Sequence, residues 1–362
     1  MEQQVLLSEL ATDTLRGLSA NQKFLLSKYF YDDHGSRIFQ DIMQMPEYYL
    51  TNCELEIFTT WKEQIIDAFV NDNPIFELIE LGSGDGLKTK ILLNTLVNRA
   101  LKFSYIPIDI SSIANKQLVE SLEIEIPGLN INPKTGDFFQ LMKQINGHSS
   151  LRRIILFQGS NIGNFSDEKL DLFLRQLSDF AHRGDKVMIG FDLKKSPEII
   201  MKAYADPHGH TRDFNLNHLR RLNRELGADF DLNNFEQHTE YNPETAAVKS
   251  FLVSKKEQIV HIELLNKSFR FKQWETIFME LSRKFDLETI ETLATKYGFR
   301  VEVNFMDSRN YFTDSLWIKE KSNSPKGKYF QFRNNSSTKI QAASPFPRCQ
   351  AGNFLRLATV NL

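Results

Sequence analysis

A largely apolar run from Ile75 to Leu81 passes straight into Gly82-Ser83-Gly84-Asp85-Gly86, and then into the helix-like Lys88-Thr89-Lys90-Ile91-Leu92-Leu93. No other feature of the chain restricts its fold as much. Glycines at alternate positions let the backbone adopt left-handed conformations closed to most residues, so the chain can turn sharply from strand to helix. The helix start that follows leaves backbone N–H groups free to meet a ligand. The same rhythm then repeats. Apolar strands are predicted at Ile75–Leu81, Phe103–Asp109, Leu129–Asn132, Arg153–Gln158 and Lys186–Asp192, alternating with helices at Lys88–Ala100, Ile113–Ile124, Phe138–Gln144 and Ser166–His182. Such alternation predicts an α/β fold with a doubly wound parallel sheet and right-handed crossovers.

After Lys195 the rhythm breaks. Residues 198–235 read as helical, and Glu236–Leu265 as two strands joined near Asn242-Pro243-Glu244. A helix at Leu287–Tyr297 followed by strands at Arg300–Phe305 and Ser315–Ile318 is expected to complete the first sheet. Four regions are expected from this. Residues 1–61 form a helical segment contributing to the active site; 62–197 and 282–320 form the sheet domain; 198–281 form an inserted, smaller α+β substrate domain. Residues 321–362, with Lys, Ser and Asn early and Pro345-Phe346-Pro347 in the middle, are expected to be a disordered or loosely attached tail.

Composition excludes several classes of partner. A net formal charge of −2 with no basic block argues against nucleic acid. No apolar run reaches the roughly 18 residues that span a bilayer, and Met1–Arg16 is an acidic–apolar mixture unlike a signal peptide. A cytoplasmic monomer acting on small molecules is expected. Cys53 and Cys349 alone make neither a disulfide framework nor a zinc cluster. His208-Gly209-His210, near Asp206, Asp213 and His218, reads as a surface loop, so no metal is expected.

In an open parallel sheet, ligands bind at the carboxyl ends of the strands near the point where strand order reverses. Four segments of this chain end strands there. The first is the glycine turn. Its spacing is G-x-G-x-G, with Leu87 where a dinucleotide fingerprint requires Gly or Ala. That suits a nucleoside cofactor without a pyrophosphate, such as S-adenosylmethionine, better than NAD. The second ends at Asp109, which either accepts hydrogen bonds from ribose hydroxyls or caps the next helix. The third is Gly136-Asp137-Phe138, suited to adenine or, for Phe138, to the core. The fourth is Gln158-Gly159-Ser160-Asn161-Ile162-Gly163-Asn164-Phe165, a polar loop facing the cofactor's reactive end, with Gly159 and Gly163 leaving room for added methyl groups.

Taken with Tyr29–Ser36, Pro46–Thr51, Asn223–Phe230 and Tyr311-Phe312, these segments resemble the histidine Nα-methyltransferase family over residues 25–320. The resemblance implies a class I methyltransferase, Rossmann-like fold and S-adenosylmethionine-dependent methylation of an amino acid's α-amine. It extends to the fungal dimethylallyltryptophan N-methyltransferase, so the acceptor varies within the family. Carried across, it implies that Tyr31, Gly82, Lys88, Asp109, Asp137 and Phe138 bind the cofactor. It also implies that Tyr48, Gly159, Asn164 and Tyr204 surround the acceptor's amine and carboxylate, with Asn164 and Tyr48 at the reacting nitrogen. Without the resemblance, Tyr48 and Tyr204 read as core aromatics.

The family's imidazole-binding Glu, and the Ser two residues beyond it, align with Lys249 and Phe251. An ammonium only donates hydrogen bonds and a phenyl ring makes none, so a side chain other than imidazole is expected. Two alternatives remain at this stage: a non-catalytic methyltransferase-like binding module, and an NAD-dependent oxidoreductase, which Leu87 disfavours.

Overall fold

The computed structural model describes residues 8–71, 75–145 and 151–320; the expected tail lies outside the described residues. The chain opens with α1 (Glu9–Ser19), capped by Ser8, and α2 (Asp33–Gln44), whose Asp32 cap accepts the Gly35 N–H at 2.7 Å. The long α3 follows (Tyr49–Val70). Then comes the alternating region: β1 (Ile75–Leu81), α4 (Thr89–Asn98), β2 (Lys102–Asp109), α5 (Ser112–Glu125), β3 (Lys134–Thr135), α6 (Phe138–Ile145), β4 (Arg152–Phe157), α7 (Asp167–Phe180) and β5 (Lys186–Asp192). An insertion carries α8 (Pro197–Tyr204), α9 (His210–Leu226), β6 (Phe235–Asn242), β7 (Ala247–Ser254), β8 (Gln258–Ile262), β9 (Lys267–Phe271) and β10 (Thr276–Arg283). The described chain closes with α10 (Leu287–Lys296), β11 (Phe299–Met306) and β12 (Phe312–Lys319).

The main sheet has seven strands in the order β11-β12-β5-β4-β1-β2-β3. β1 to β5 run parallel, while β12 pairs antiparallel with β5, and β11 antiparallel with β12. Strand order reverses between β1 and β4, which places a binding crevice at the carboxyl ends of these two strands. Helices cover both faces, and β5 is accordingly buried along its whole length. On one face Ile57, Phe58 and Phe69 of α3 pack with Leu92 and Leu96 of α4 against Leu78, Leu156 and Leu316. On the other, Phe173 and Leu177 of α7 and Ile290 of α10 pack against Ile79, Ile155 and Trp317.

The insertion builds its own antiparallel sheet, β10-β7-β6, and the hairpin β8-β9. It shares a third core with the amino-terminal helices, in which Leu10, Leu18, Phe30 and Ile38 meet Phe214, Leu252 and Ile277. Backbone bonds join the two: Leu25 N–H donates to Phe278 O, and Phe278 N–H to Lys23 O, both at 2.9 Å. Five strands thus lie between Phe235 and Arg283, where the sequence pattern suggested two up to Leu265. Tight reversals cut them short, such as the left-handed Asn266 (φ 43°) between β8 and β9. The strand expected at Leu129–Asn132 is reduced to a bridge from Ile131 to Tyr105, and pairing with β2 resumes at Lys134. No described helix is long and apolar enough to cross a membrane.

Candidate active site

The glycine turn leaves β1 with Gly82, Gly84 and Gly86 all at positive φ (77°, 53° and 66°). They are not equivalent. A Cβ on Gly86 would strike Leu118 Cδ1 at 2.4 Å, whereas one on Gly82 or Gly84 would meet nothing within 4 Å. Gly86 therefore serves packing on α5, while Gly82 and Gly84 present open backbone to the crevice. Asp109, ending β2, fastens this turn: its Oδ2 accepts the Gly84 N–H at 3.0 Å and its Oδ1 the Ser111 N–H at 2.9 Å. Asp137 is exposed and accepts the Gln140 N–H at 3.1 Å in the first turn of α6. Phe138 is half-buried beside Phe139, with ring centroids 4.5 Å apart.

Lys88 and Gly159 are tied together from below. Glu54 of α3, with its side chain 1 % exposed, pairs with the Lys88 ammonium and accepts the Gly159 N–H at 2.8 Å. One buried carboxylate thus links the glycine turn after β1 to the loop after β4. In that loop Gly159 (φ 74°) and Ser160 (φ 56°) both take left-handed conformations. The Ser160 hydroxyl accepts the Asp192 N–H at 3.0 Å, and residues Asn161–Asn164 form one 3₁₀ turn. Gly163 does not leave room for methyl groups, as the sequence suggested. A Cβ there would lie 2.8 Å from the Arg283 carbonyl, so the glycine lets the loop pack against β10.

A cavity opens between this loop, the amino-terminal helices and the insertion. Gly159 and Asn164 line it from the sheet, Tyr31 and Tyr48 from the amino-terminal segment, and Tyr204, Glu280 and Ser282 from the insertion. The structure therefore brings together Tyr31, Tyr48, Gly159, Asn164 and Tyr204. Gly82, Lys88, Asp109, Asp137 and Phe138 lie at or just beyond the carboxyl ends of β1, β2 and β3. The Tyr48 and Tyr204 rings meet edge-on, centroids 6.4 Å apart. Burial holds both hydroxyls well above the usual tyrosine range, and the nearby Glu280 carboxylate adds to this, so both stay protonated.

Glu280 and Ser282 are the residues that the sequence pattern did not single out. A bulge in the β10–β7 pairing between Phe278 and Glu280 sets Phe251 opposite Phe278 but Ser250 opposite Glu280. Cross-strand partners share a face and neighbours along a strand alternate, so Glu280 and Ser282 side with Ser250, away from Phe251. Burial pushes the Glu280 carboxyl up to about 7, although Lys284 pulls it the other way. Behind this pair lies a buried polar chain. Lys284 Nζ donates to Tyr204 Oη at 2.7 Å and Ser282 Oγ at 2.9 Å, and pairs with Asp192 Oδ2 at 2.7 Å. Asp192 also accepts from Tyr49 at 2.9 Å and pairs with Lys195. The available signal was Met279-Glu280-Leu281-Ser282, an apolar–polar alternation within a strand that the sequence pattern left unassigned.

Lys249 and Phe251 do not reach the cavity, which corrects the expectation built on them. The Lys249 side chain is 46 % exposed, with Nζ 3.8 Å from Glu240 Oε1. Phe251 is buried against Phe278, with centroids 5.7 Å apart. A Glu and a Ser two residues apart stand instead on β10, the strand that pairs antiparallel with β7.

Comparison with known proteins identifies the family. The profile of the family described as histidine-specific methyltransferase, SAM-dependent, matches residues 10–319. A histidine N-alpha-methyltransferase of Mycolicibacterium smegmatis is 34 % identical over 310 residues, covering 86 % of this chain and 95 % of the relative. An N-methyltransferase of Aspergillus fumigatus is 27 % identical, covering 80 % of this chain and 78 % of its own. An L-tryptophan methyltransferase of Psilocybe serbica is 25 % identical, covering 79 % and 85 %. The chain belongs to the histidine-specific, S-adenosylmethionine-dependent methyltransferase family, and S-adenosylmethionine is its cofactor.

Proposed function

We propose that this enzyme methylates the α-amine of free histidine, with Glu280 and Ser282 reading the imidazole. The observation that carries this reading is the pair itself: a carboxylate and a hydroxyl two residues apart on one strand face, in the same cavity as Asn164 and Tyr48. A carboxylate accepts from one ring nitrogen's N–H, and a hydroxyl serves the other nitrogen. A phenyl ring in the same place would leave the half-buried Glu280 without a partner, which is costly.

The cofactor's site suits a nucleoside with a charged amino-acid tail. The open backbone over Gly82 and Gly84 admits close approach. Asp109 would hold the ribose hydroxyls, Asp137 and Phe138 the adenine, and Lys88 and Tyr31 the amino-acid end. When bound, the cofactor supplies a methyl group on a sulfonium that is its own leaving group.

The protein's own contribution is positioning and exclusion of water. The acceptor amine has to be neutral, because an ammonium has no lone pair. The Asn164 amide makes no hydrogen bond among the described residues and is free to hold one amine N–H. The protonated Tyr48 hydroxyl donates to the acceptor's carboxylate. Gly159, without a side chain, leaves space beside the amine, and Tyr204 braces Ser282. The test is incubation with isotopically labelled S-adenosylmethionine and a pool of the common amino acids, read by mass spectrometry. Label is expected on the α-nitrogen of histidine. Label on tryptophan or another amino acid with histidine untouched would overturn the reading.

A further inference from the structure

Lys284 is wholly buried, and its three N–H bonds meet three acceptors: Asp192 Oδ2 and Tyr204 Oη at 2.7 Å, and Ser282 Oγ at 2.9 Å. An ammonium accepts nothing, so each hydroxyl oxygen commits one lone pair to it. The two hydroxyls lie 2.8 Å apart and share one hydrogen. A phenol is the more acidic donor and a serine oxygen the better acceptor, so Tyr204 donates and Ser282 accepts. Both lone pairs of Ser282 Oγ are then taken. Its own hydrogen is then available to the cavity that Ser282 lines with Glu280. The wall therefore offers an acceptor at Glu280 and a donor at Ser282.

We propose that Lys284 is a positioning residue that fixes Ser282 as a hydrogen-bond donor, and so restricts the acceptor substrate to a ring carrying both an N–H and a nitrogen lone pair, the neutral imidazole. The proposal rests on the histidine reading and adds the polarity with which the ring is recognised. An imidazolium sets an N–H against the Ser282 hydrogen. A pyrrole or indole leaves that hydrogen without an acceptor. Asp192, held from its far side by Tyr49 and Lys195, keeps the Lys284 charge compensated inside the protein.

The experiment compares kcat/KM for histidine with that for β-(2-pyrrolyl)alanine and β-(3-pyrrolyl)alanine, which keep one ring N–H and lack the second nitrogen. The wild-type enzyme is expected to prefer histidine to the better analogue by roughly tenfold or more. In Lys284→Met and in Ser282→Ala the preference falls to within about twofold, and the double variant falls no further. The change is carried by the KM for histidine, and affinity for S-adenosylmethionine is retained. A wild-type preference in folded Lys284→Met overturns the proposal. Should that variant fail to fold, Ser282→Ala decides alone, since it leaves the buried ion pair in place; an undiminished preference there overturns the proposal equally. A wild-type enzyme that methylates neither histidine nor the analogues overturns the histidine reading along with the proposal, a result distinct from a preserved preference.

Discussion

The loop after β4 and the strand β10 line the same cavity, yet they are built from different material. On the sheet side the features are backbone: Gly82, Gly84 and Gly159 at positive φ, held by Asp109 and by Glu54. On the insertion side they are side chains, Glu280 and Ser282, aimed by a bulge and braced by Lys284. A backbone cradle suits a cofactor that never changes, because it depends on conformations that few residues other than glycine adopt readily. A side-chain wall can be altered one residue at a time without disturbing the sheet, which is where a family whose relatives are named for histidine and for tryptophan would vary.

If the two sides divide the work in this way, substitutions should separate cofactor from acceptor. The largest effect is expected for Glu280→Ala, which lowers kcat/KM for histidine by roughly 10–100-fold, the loss of one charge-assisted hydrogen bond, while calorimetry finds cofactor affinity unchanged. Equal losses in both would erase the distinction. Asp109→Ala is the converse: cofactor Kd rises roughly tenfold, about 1.4 kcal/mol. Unchanged affinity there would remove Asp109 from the ribose.

A third test uses stability. Glu280 has its carboxyl raised from 4.5 to about 7, so the folded state binds its proton more tightly than the unfolded state does. The stability it contributes is complete below pH 4.5 and is lost as pH rises through 7. Glu280→Gln should then be more stable than wild type at pH 8, by roughly 1–3 kcal/mol, and nearly equal to it at pH 4 in denaturant melts. A gain of the same size at both pH values would mean that the carboxylate is not strained by burial. The smallest effect is expected for Lys249→Ala, a surface side chain whose ion pair with Glu240 is exposed: histidine kinetics should change by less than about twofold. A large change would return β7 to the acceptor site.

The same contrast explains what the sequence made legible. β1 and β5 fall at Ile75–Leu81 and Lys186–Asp192, as their largely apolar runs indicate, because a strand covered on both faces is mostly apolar. The glycine turns are equally plain, since few other residues take their φ values at low cost. Glu280 and Ser282 were hidden for a physical reason. The Met279–Ser282 alternation marks a strand, but which face they occupy depends on one bulge and on the register with β7, which that alternation does not reveal. Gly163 is similar: its smallness answers to Arg283, a residue 120 positions away.

The most direct measurement is a crystal structure of the enzyme with S-adenosylhomocysteine and histidine. The account predicts the imidazole nitrogens within about 2.7–3.2 Å of the Glu280 carboxylate and the Ser282 hydroxyl, with the α-amine beside Asn164. An imidazole bound away from β10, with Glu280 and Ser282 untouched, would contradict it.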